Sequence, residues 1–296
     1  MKHERFIAWA LSQPWALMPE RITAYAAVLA RQIAPSAMED NEPIVAGPSR
    51  SREKPRAGSI AVIPVYGPIV QRASQIDICE GGTSTQSISN ALADAMADDS
   101  ISQVLLDIDS PGGSVYGVQE VAAEIARAKK PVVAIANSLA ASAAYWIGSA
   151  ASELYVTPGG EVGSIGVWTA HQDISKALEA EGINVTLISA GPFKVEGNPY
   201  QPLGADAQKF MQSRIDDYYG AFTRAVAKGR KVSVDQVRNG MGQGRVLGAD
   251  AAKAEGMVDG IATFEEVIAN MQRTHAAATP RANRLAAAQR DIAILG

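Results

Sequence analysis

Two residues in this chain have the side chains and the setting for acyl-transfer chemistry. Ser142 lies in Ala140-Ala141-Ser142-Ala143-Ala144-Tyr145, where small neighbours leave room for a substrate backbone. A serine hydroxyl attacks a carbonyl only with a base beside it. The histidines are His3, His171 and His275; two of them lie in peripheral stretches, which leaves His171 as the imidazole of the central region. A lysine serves instead when burial brings its pKa towards neutrality. Lys194 is such a candidate, because Gly191-Pro192-Phe193-Lys194-Val195-Glu196-Gly197-Asn198-Pro199-Tyr200 is aromatic and sparsely charged. Taken singly, each residue also has a plain reading: Ser142 as a helix N-cap, Lys194 as a solvated partner of Glu196, His171 as a structural ring.

A third element is Asp109-Ser110-Pro111-Gly112-Gly113-Ser114 at the end of an apolar run. Paired glycines let backbone N–H groups approach a ligand with no Cβ in the way. Such donors form oxyanion holes, although a Pro-Gly turn also simply ends a strand. The sequence has no H-E-x-x-H and no paired Cys/His cluster, so no metal or other cofactor is expected. The single cysteine, Cys79, excludes an internal disulfide and fits a reducing compartment; it suits a core or surface position as well as a reactive thiol.

The elements that must position these groups alternate in kind. Ser59–Val65, Val104–Ile108, Pro131–Ile135, Leu154–Val156 and Asn184–Ile188 read as short strands. Helical spacing covers Gln86–Met96, Val118–Lys129 (apolar at Val118, Val121, Ala122, Ile125 and Ala126), Ser142–Ser149, Ile174–Glu181 and Ala205–Lys228. Strands alternating with amphipathic helices predict an α/β fold with a mostly parallel sheet and right-handed crossovers. A doubly wound dinucleotide fold is disfavoured, since no G-x-G-x-x-G opens a helix after a strand.

Around this core, residues 1–35 form an N-terminal helical region (Ile22, Tyr25, Ala26, Leu29, Ile33). Residues 36–57 are a linker rich in proline, serine and charge, residues 58–272 are the main domain, and 273–296 are a flexible Ala/Arg-rich tail. Hydrophobic content of 47% with 20% charge is that of a globular chain. A net charge of −4 disfavours nucleic acid or an anionic membrane as main partner. No stretch approaches the roughly 18 apolar residues of a membrane span, and Phe6–Leu11 is broken by Ser12-Gln13-Pro14 with no cleavage pattern after it.

Taken in order, P-G-G, A-A-S-A-A-Y, G-S-I-G-V (Gly163–Val167) and K-V-E-G-N-P-Y resemble the S49 peptidases, the signal-peptide-peptidase A-like serine proteases. That resemblance implies Ser142 as nucleophile and Lys194 as base in a Ser–Lys dyad. It implies Ser164 as the lysine-positioning serine, and the N–H groups of Gly113 and Ala143 as oxyanion donors. It also implies a ClpP/crotonase-type fold of stacked ββα units that assembles into homo-oligomers. Members often carry S-G-G-Y where this chain has Ser142-Ala143-Ala144-Tyr145; the backbone donor survives while the added methyls narrow the cleft.

Trp15-Ala16-Leu17-Met18-Pro19, the linker, Thr169-Ala170-His171 and Lys194–Tyr200 narrow the resemblance to the head maturation proteases of tailed phages and prophages, the lambda protein C type. Such enzymes act on scaffold, portal or capsid proteins inside the procapsid, in the cytoplasm of the bacterial host. The chain stops soon after the core, so scaffold is expected from a separate chain, with Arg281, Arg284 and Arg290 as a docking or self-cleavage segment. The rival readings are a ClpP-like Ser–His–Asp peptidase using His171, a catalytically silent capsid-assembly docking protein, and a crotonase-like acyl-CoA enzyme.

Overall fold

The computed structural model describes residues 13–19, 58–72 and 82–278. Cys79, His3, the helical pattern Ile22–Ile33, the linker 36–57 and the arginines at 281, 284 and 290 lie outside the described residues.

The body is a sheet wrapped by helices. In chain order the strands are β1 (Trp15–Leu17), β2 (Ser59–Tyr66), β3 (Ile69–Val70), β4 (Thr83–Ser84), β5 (Ile101–Ser110), β6 (Gly112–Ser114), β7 (Val132–Ala141), β8 (Glu153–Val156), β9 (Glu161–Gly163), β10 (Val246–Gly248) and β11 (Gly260–Ile261). The helices are α1 (Thr85–Ala97), α2 (Val118–Ala126), α3 (Ala143–Gly148), α4 (Ser175–Ala180), α5 (Ala205–Arg230), α6 (Val234–Asn239), α7 (Ala249–Ala254) and α8 (Phe264–Ala278).

The main sheet runs β10-β9-β7-β5-β2, and β9, β7, β5 and β2 are successive parallel neighbours. β7 is long enough to serve two partners on one edge. Val133–Ala136 pair with β8, which continues to β11, while Leu139–Ala141 pair with β9. A parallel sheet must be covered on both faces. One face carries Val104, Leu106 and Ile108 against α1, α2 and α3; the other carries Leu105, Val133 and Ile135 against Val267 and Met271 of α8. The expected mostly parallel α/β architecture is therefore present.

Most expected elements recur within a few residues. The apolar face of α2 is buried at Val118, Val121, Ala122 and Ile125, whereas Ala126 is exposed at the helix end. α1 gains an unanticipated cap: Ser84 accepts a hydrogen bond from the Ser87 N–H at 3.0 Å, which satisfies one of the free donors of the first turn. α8 continues through Ala278, past the expected domain end at 272.

One expectation fails. Asn184–Ile188 is not a strand, and Val185, Leu187 and Ile188 are exposed, Ile188 by 95%. A strand needs a partner for its backbone groups, and the outer edge of β9 is already filled by antiparallel β10.

α5 locks the body from outside. Phe222 stacks on Trp146 of α3 with centroids 4.6 Å apart and rings 7° from parallel. At the end of the helix the buried Arg230 guanidinium reaches Asp259 Oδ2 at 2.8 Å, and the same oxygen accepts the Leu154 N–H at 2.7 Å. Burial pushes the Asp259 carboxyl up, but the Arg230 and Leu154 hydrogen bonds outweigh it and hold the group below its ordinary value. A depressed carboxyl stabilises the fold above its unfolded pKa and loses that contribution as pH falls through the folded value. Asp259 is partly exposed, so screening limits the pair to about 1 kcal/mol. Asp259→Asn should lower Tm by about 2–4 °C at pH 7, with the deficit shrinking below about pH 4; thermal unfolding followed by circular dichroism at both pH values checks it.

Candidate active site

Parallel register decides which side chains meet. β5, β7 and β9 end side by side, with Ser110 opposite Ala140 and Ala141 opposite Gly163. The next residues along each strand are therefore neighbours: Gly112-Gly113 after β5, Ser142 after β7 and Ser164 after β9. The carboxyl ends of parallel strands are where α/β sheets place their ligands.

Ser142 occupies the sharp turn from β7 into α3, at φ 54° and ψ −117°. A non-glycine residue there stores strain of about 1–3 kcal/mol and persists only where its surroundings over-determine it. They do so here. The Ser142 N–H donates to Gly163 O at 2.7 Å, and its carbonyl accepts the Trp146 N–H at 2.9 Å. The α3 side chains around it are all buried. Although Ser142 stands at the N-cap position, its side chain makes no capping hydrogen bond. The hydroxyl instead lies 3.4 Å from Gly166 O. This removes the plain N-cap reading.

The glycines are sterically required. A Cβ on Gly113 would come within 1.9 Å of Ile69 O, and one on Gly112 (φ +94°) within 2.2 Å of Ala16 O and 3.0 Å of Ser142 Cβ. The Gly113 backbone is thus held against β3, and that of Gly112 against the serine. Ala143, the other expected donor, is the first residue of α3 and buried. Ser164 sits beside Ser142 and is likewise strained, at φ 54°, with its N–H on Arg245 O at 2.8 Å. Next to the pair a cavity of about 310 Å3 opens, with Ile165, Gly166, Val167, Tyr219 and Arg238 in its lining. Tyr145, fully buried behind the serine, donates its hydroxyl to Met257 O at 2.9 Å, and burial pushes that hydroxyl's pKa up.

Lys194 is placed otherwise. It lies in the turn-rich segment 190–199, exposed to solvent, with Phe193 beside it 70% exposed. Among the described residues no hydrogen bond links Lys194 to Ser142 or Ser164; the Lys194 N–H donates to Gly191 O at 3.3 Å. His171 is not joined to Ser142 either: its Nε2 lies 2.9 Å from Asn198 O, on the segment that carries Lys194. Asp173, the carboxylate two residues on, accepts the Ser175 N–H at 2.9 Å. Hydrogen bonds from the Ser175 hydroxyl and amide hold that exposed carboxyl below its ordinary value. It is engaged at the start of α4, and among the described residues no hydrogen bond joins it to His171.

Sequence reasoning singles out Trp15–Pro19 but misses that Trp15–Leu17 is a strand paired with β6 beside Ser142, and misses Trp168, which bonds to it on the other side. The available signal was an aromatic–small–apolar triplet bracketed by Pro14 and Pro19.

Comparison with known proteins agrees with this geometry. The family model described as peptidase family S49 matches residues 124–278, and that of Clp protease matches 69–162. The Clp match takes in β5, the glycine turn and the serine, and the fold is of the ClpP/crotonase type. The chain is 39% identical over 193 residues to capsid assembly protease C of Escherichia phage lambda, covering 64% of this chain and 44% of that protein. It is 35% identical over 268 residues to head-tail preconnector protein GP5 of Enterobacteria phage P21, covering 84% and 52%. It is 31% identical over 215 residues to protease 4 of Salmonella typhi, covering 72% and 34%. The chain spans about half the length of the two phage proteins it matches. With the strained serine, the paired glycines and the family match on one set of strand ends, the chain belongs to peptidase family S49.

Proposed function

We propose that this chain is a serine endopeptidase in which Ser142 is the nucleophile and Lys194 the general base. The observation that carries the reading is Ser142 itself, strained at the carboxyl end of β7, free of capping, with the Gly112-Gly113 turn on one side and the Ala143 backbone on the other. The Ser142 oxygen bonds to the substrate carbonyl carbon while its proton passes to the neutral Lys194 amine. Negative charge then collects on the carbonyl oxygen, facing the Gly113 and Ala143 N–H groups. Collapse breaks the carbon–nitrogen bond, and Lys194 gives its proton to the leaving amine. Water then attacks the acyl-serine ester by the reverse sequence, with Ser164 positioning the lysine.

Lys194 is exposed in the single chain, whereas a lysine base works when desolvated. The same segment exposes Ile183, Val185, Leu187, Ile188 and Phe193. The reading therefore includes a homo-oligomer in which another copy covers this segment and encloses the amine. The phage relatives, named for capsid assembly and the head-tail preconnector, support procapsid proteins such as scaffold as substrates and the procapsid, in the host cytoplasm, as the place of action.

Two outcomes test the reading. Purified chain supplied with scaffold protein should cleave it, while Ser142→Ala and Lys194→Ala lose at least about 10³-fold of the rate and His171→Ala keeps most of it. Activity should rise from neutral to mildly alkaline pH, since the base accepts a proton only when neutral. Loss in His171→Ala with Lys194→Ala spared would transfer the role to the imidazole, and wild type inert even with scaffold would leave a docking protein. Separately, Gly113→Ala should lower kcat by about 10²–10³-fold, because the clash with Ile69 O displaces the donor; stopped-flow turnover beside a circular dichroism melt separates that from unfolding.

A further inference from the structure

The strand β1 lies where a substrate would. It runs antiparallel along β6, with Trp15 opposite Ser114, Ala16 opposite Gly113 and Leu17 opposite Gly112. On its other edge Trp15 and Trp168 exchange both backbone hydrogen bonds, at 2.8 and 3.0 Å, and the Trp168 indole N–H donates to Leu17 O at 2.9 Å. Residues 15–17 are therefore bonded along both edges, between the glycine turn on one side and the stretch following Ser164 on the other. Proteases and other peptide receptors hold extended chains by such main-chain pairing, with alternate side chains giving specificity.

The register aligns this strand with the chemistry. The Met18 N–H donates to Pro111 O at 3.2 Å. Bonded pairs alternate along an antiparallel ladder, so Ala16–Gly113 is the next bonded pair and the Gly113 N–H is directed at the Ala16 carbonyl. That carbonyl and Ser142 Cβ both crowd the same face of Gly112. Trp15, Ala16 and Leu17 are all buried, and Ser142 is only 1% exposed. Pro14 and Pro19 bracket the strand, and proline, lacking an N–H, does not extend such a ladder.

We propose that Trp15–Leu17 is a built-in occupant of the catalytic peptide groove, and that polypeptide substrates bind in its place and in its register. The site then accepts an extended segment with a small side chain opposite Gly113 and large apolar side chains on both neighbours. The occupant holds the serine covered until a substrate displaces it. This inference rests on Gly113 and Ser142 as oxyanion donor and nucleophile.

The test reads binding apart from turnover. A fluorescently labelled peptide with the sequence of residues 13–19 is titrated into full-length Ser142→Ala, with and without Ala16→Pro, which removes the N–H that pairs with Gly113. The double variant should bind at least tenfold tighter by fluorescence anisotropy, and a peptide with tryptophan in place of the central alanine should bind neither. Equal affinity for the two chains, no binding by either, or indifference to the central residue overturns the proposal. Hydrogen exchange on unmutated chain, whose folding is not in question, gives the second reading. Saturating peptide should deprotect the Ala16 and Met18 amides while those of β5 stay protected; unchanged protection at those two amides overturns it equally. Neither readout needs catalysis, so a chain that exchanges its strand yet hydrolyses nothing would sink the peptidase reading while leaving Trp15–Leu17 as the exchangeable occupant of a peptide groove.

Discussion

The parallel pairing of β7, with β5 on one edge and β9 on the other, is the constraint on which the rest of the molecule depends. Because the three strands end in step, a turn from each falls at one place: Gly112-Gly113, Ser142 and Ser164. Parallel strands return their chain by a crossover through the helical layers, so the register of β5, β7 and β9 goes together with α2 and α3 packed on the sheet. The fork of β7 matters equally. Its first half feeds β8 and the second cluster of the core under α8, while its last three residues are reserved for β9. Anchorage and site geometry are thus assigned to different halves of one strand.

That division explains how two strained serines coexist. Ser142 and Ser164 both sit at φ 54°, together a cost of a few kcal/mol. Neither can relax alone, because the Ser142 N–H is bonded to Gly163 O and the Ser164 N–H to Arg245 O. Arg245 directly precedes β10, whose pairing with β9 in turn closes the sheet edge. Behind the turn, α3 is buried on every side and stacked on Phe222. Burial of one such large apolar side chain contributes about 1.5–3 kcal/mol, so a few of these contacts offset the strain.

Much of this was legible in the sequence because it rests on local rules. Alternating apolar runs and helical spacing gave the strands and helices of the core, and the glycine pair and alanine-flanked serine marked two of the three strand ends. What escaped rests on partners far along the chain. Asn184–Ile188 has the composition of a strand, yet strand formation depends on an open edge, and the edge was taken by Val246–Gly248, a triplet too short to stand out. Trp15–Leu17 looked like part of a separate N-terminal region; its place is fixed by β6 and Trp168, about a hundred or more residues away. Lys194 was read from its neighbours as desolvated, but aromatic neighbours enclose an amine only if something packs against them, and Phe193 is itself exposed. Composition reports what a segment could bury, not whether the chain supplies the surface to bury it.

Under the proposed function, the single chain presents the reverse of a working Ser–Lys pair: the serine is covered and the lysine is bare. These two states have independent remedies. Displacing β1 uncovers the serine at the expense of main-chain hydrogen bonds along two edges, and an incoming extended segment restores the same bonds, so the exchange is near neutral for a peptide of matching register and unfavourable for others. Covering the 183–200 segment removes exposed apolar side chains from water, which favours association in its own right and encloses the amine as a consequence. On this reading substrate acts at one side of the site and assembly at the other. Under the proposed function, a protease built so stays inert as an isolated chain and becomes competent only where copies and substrate are concentrated together.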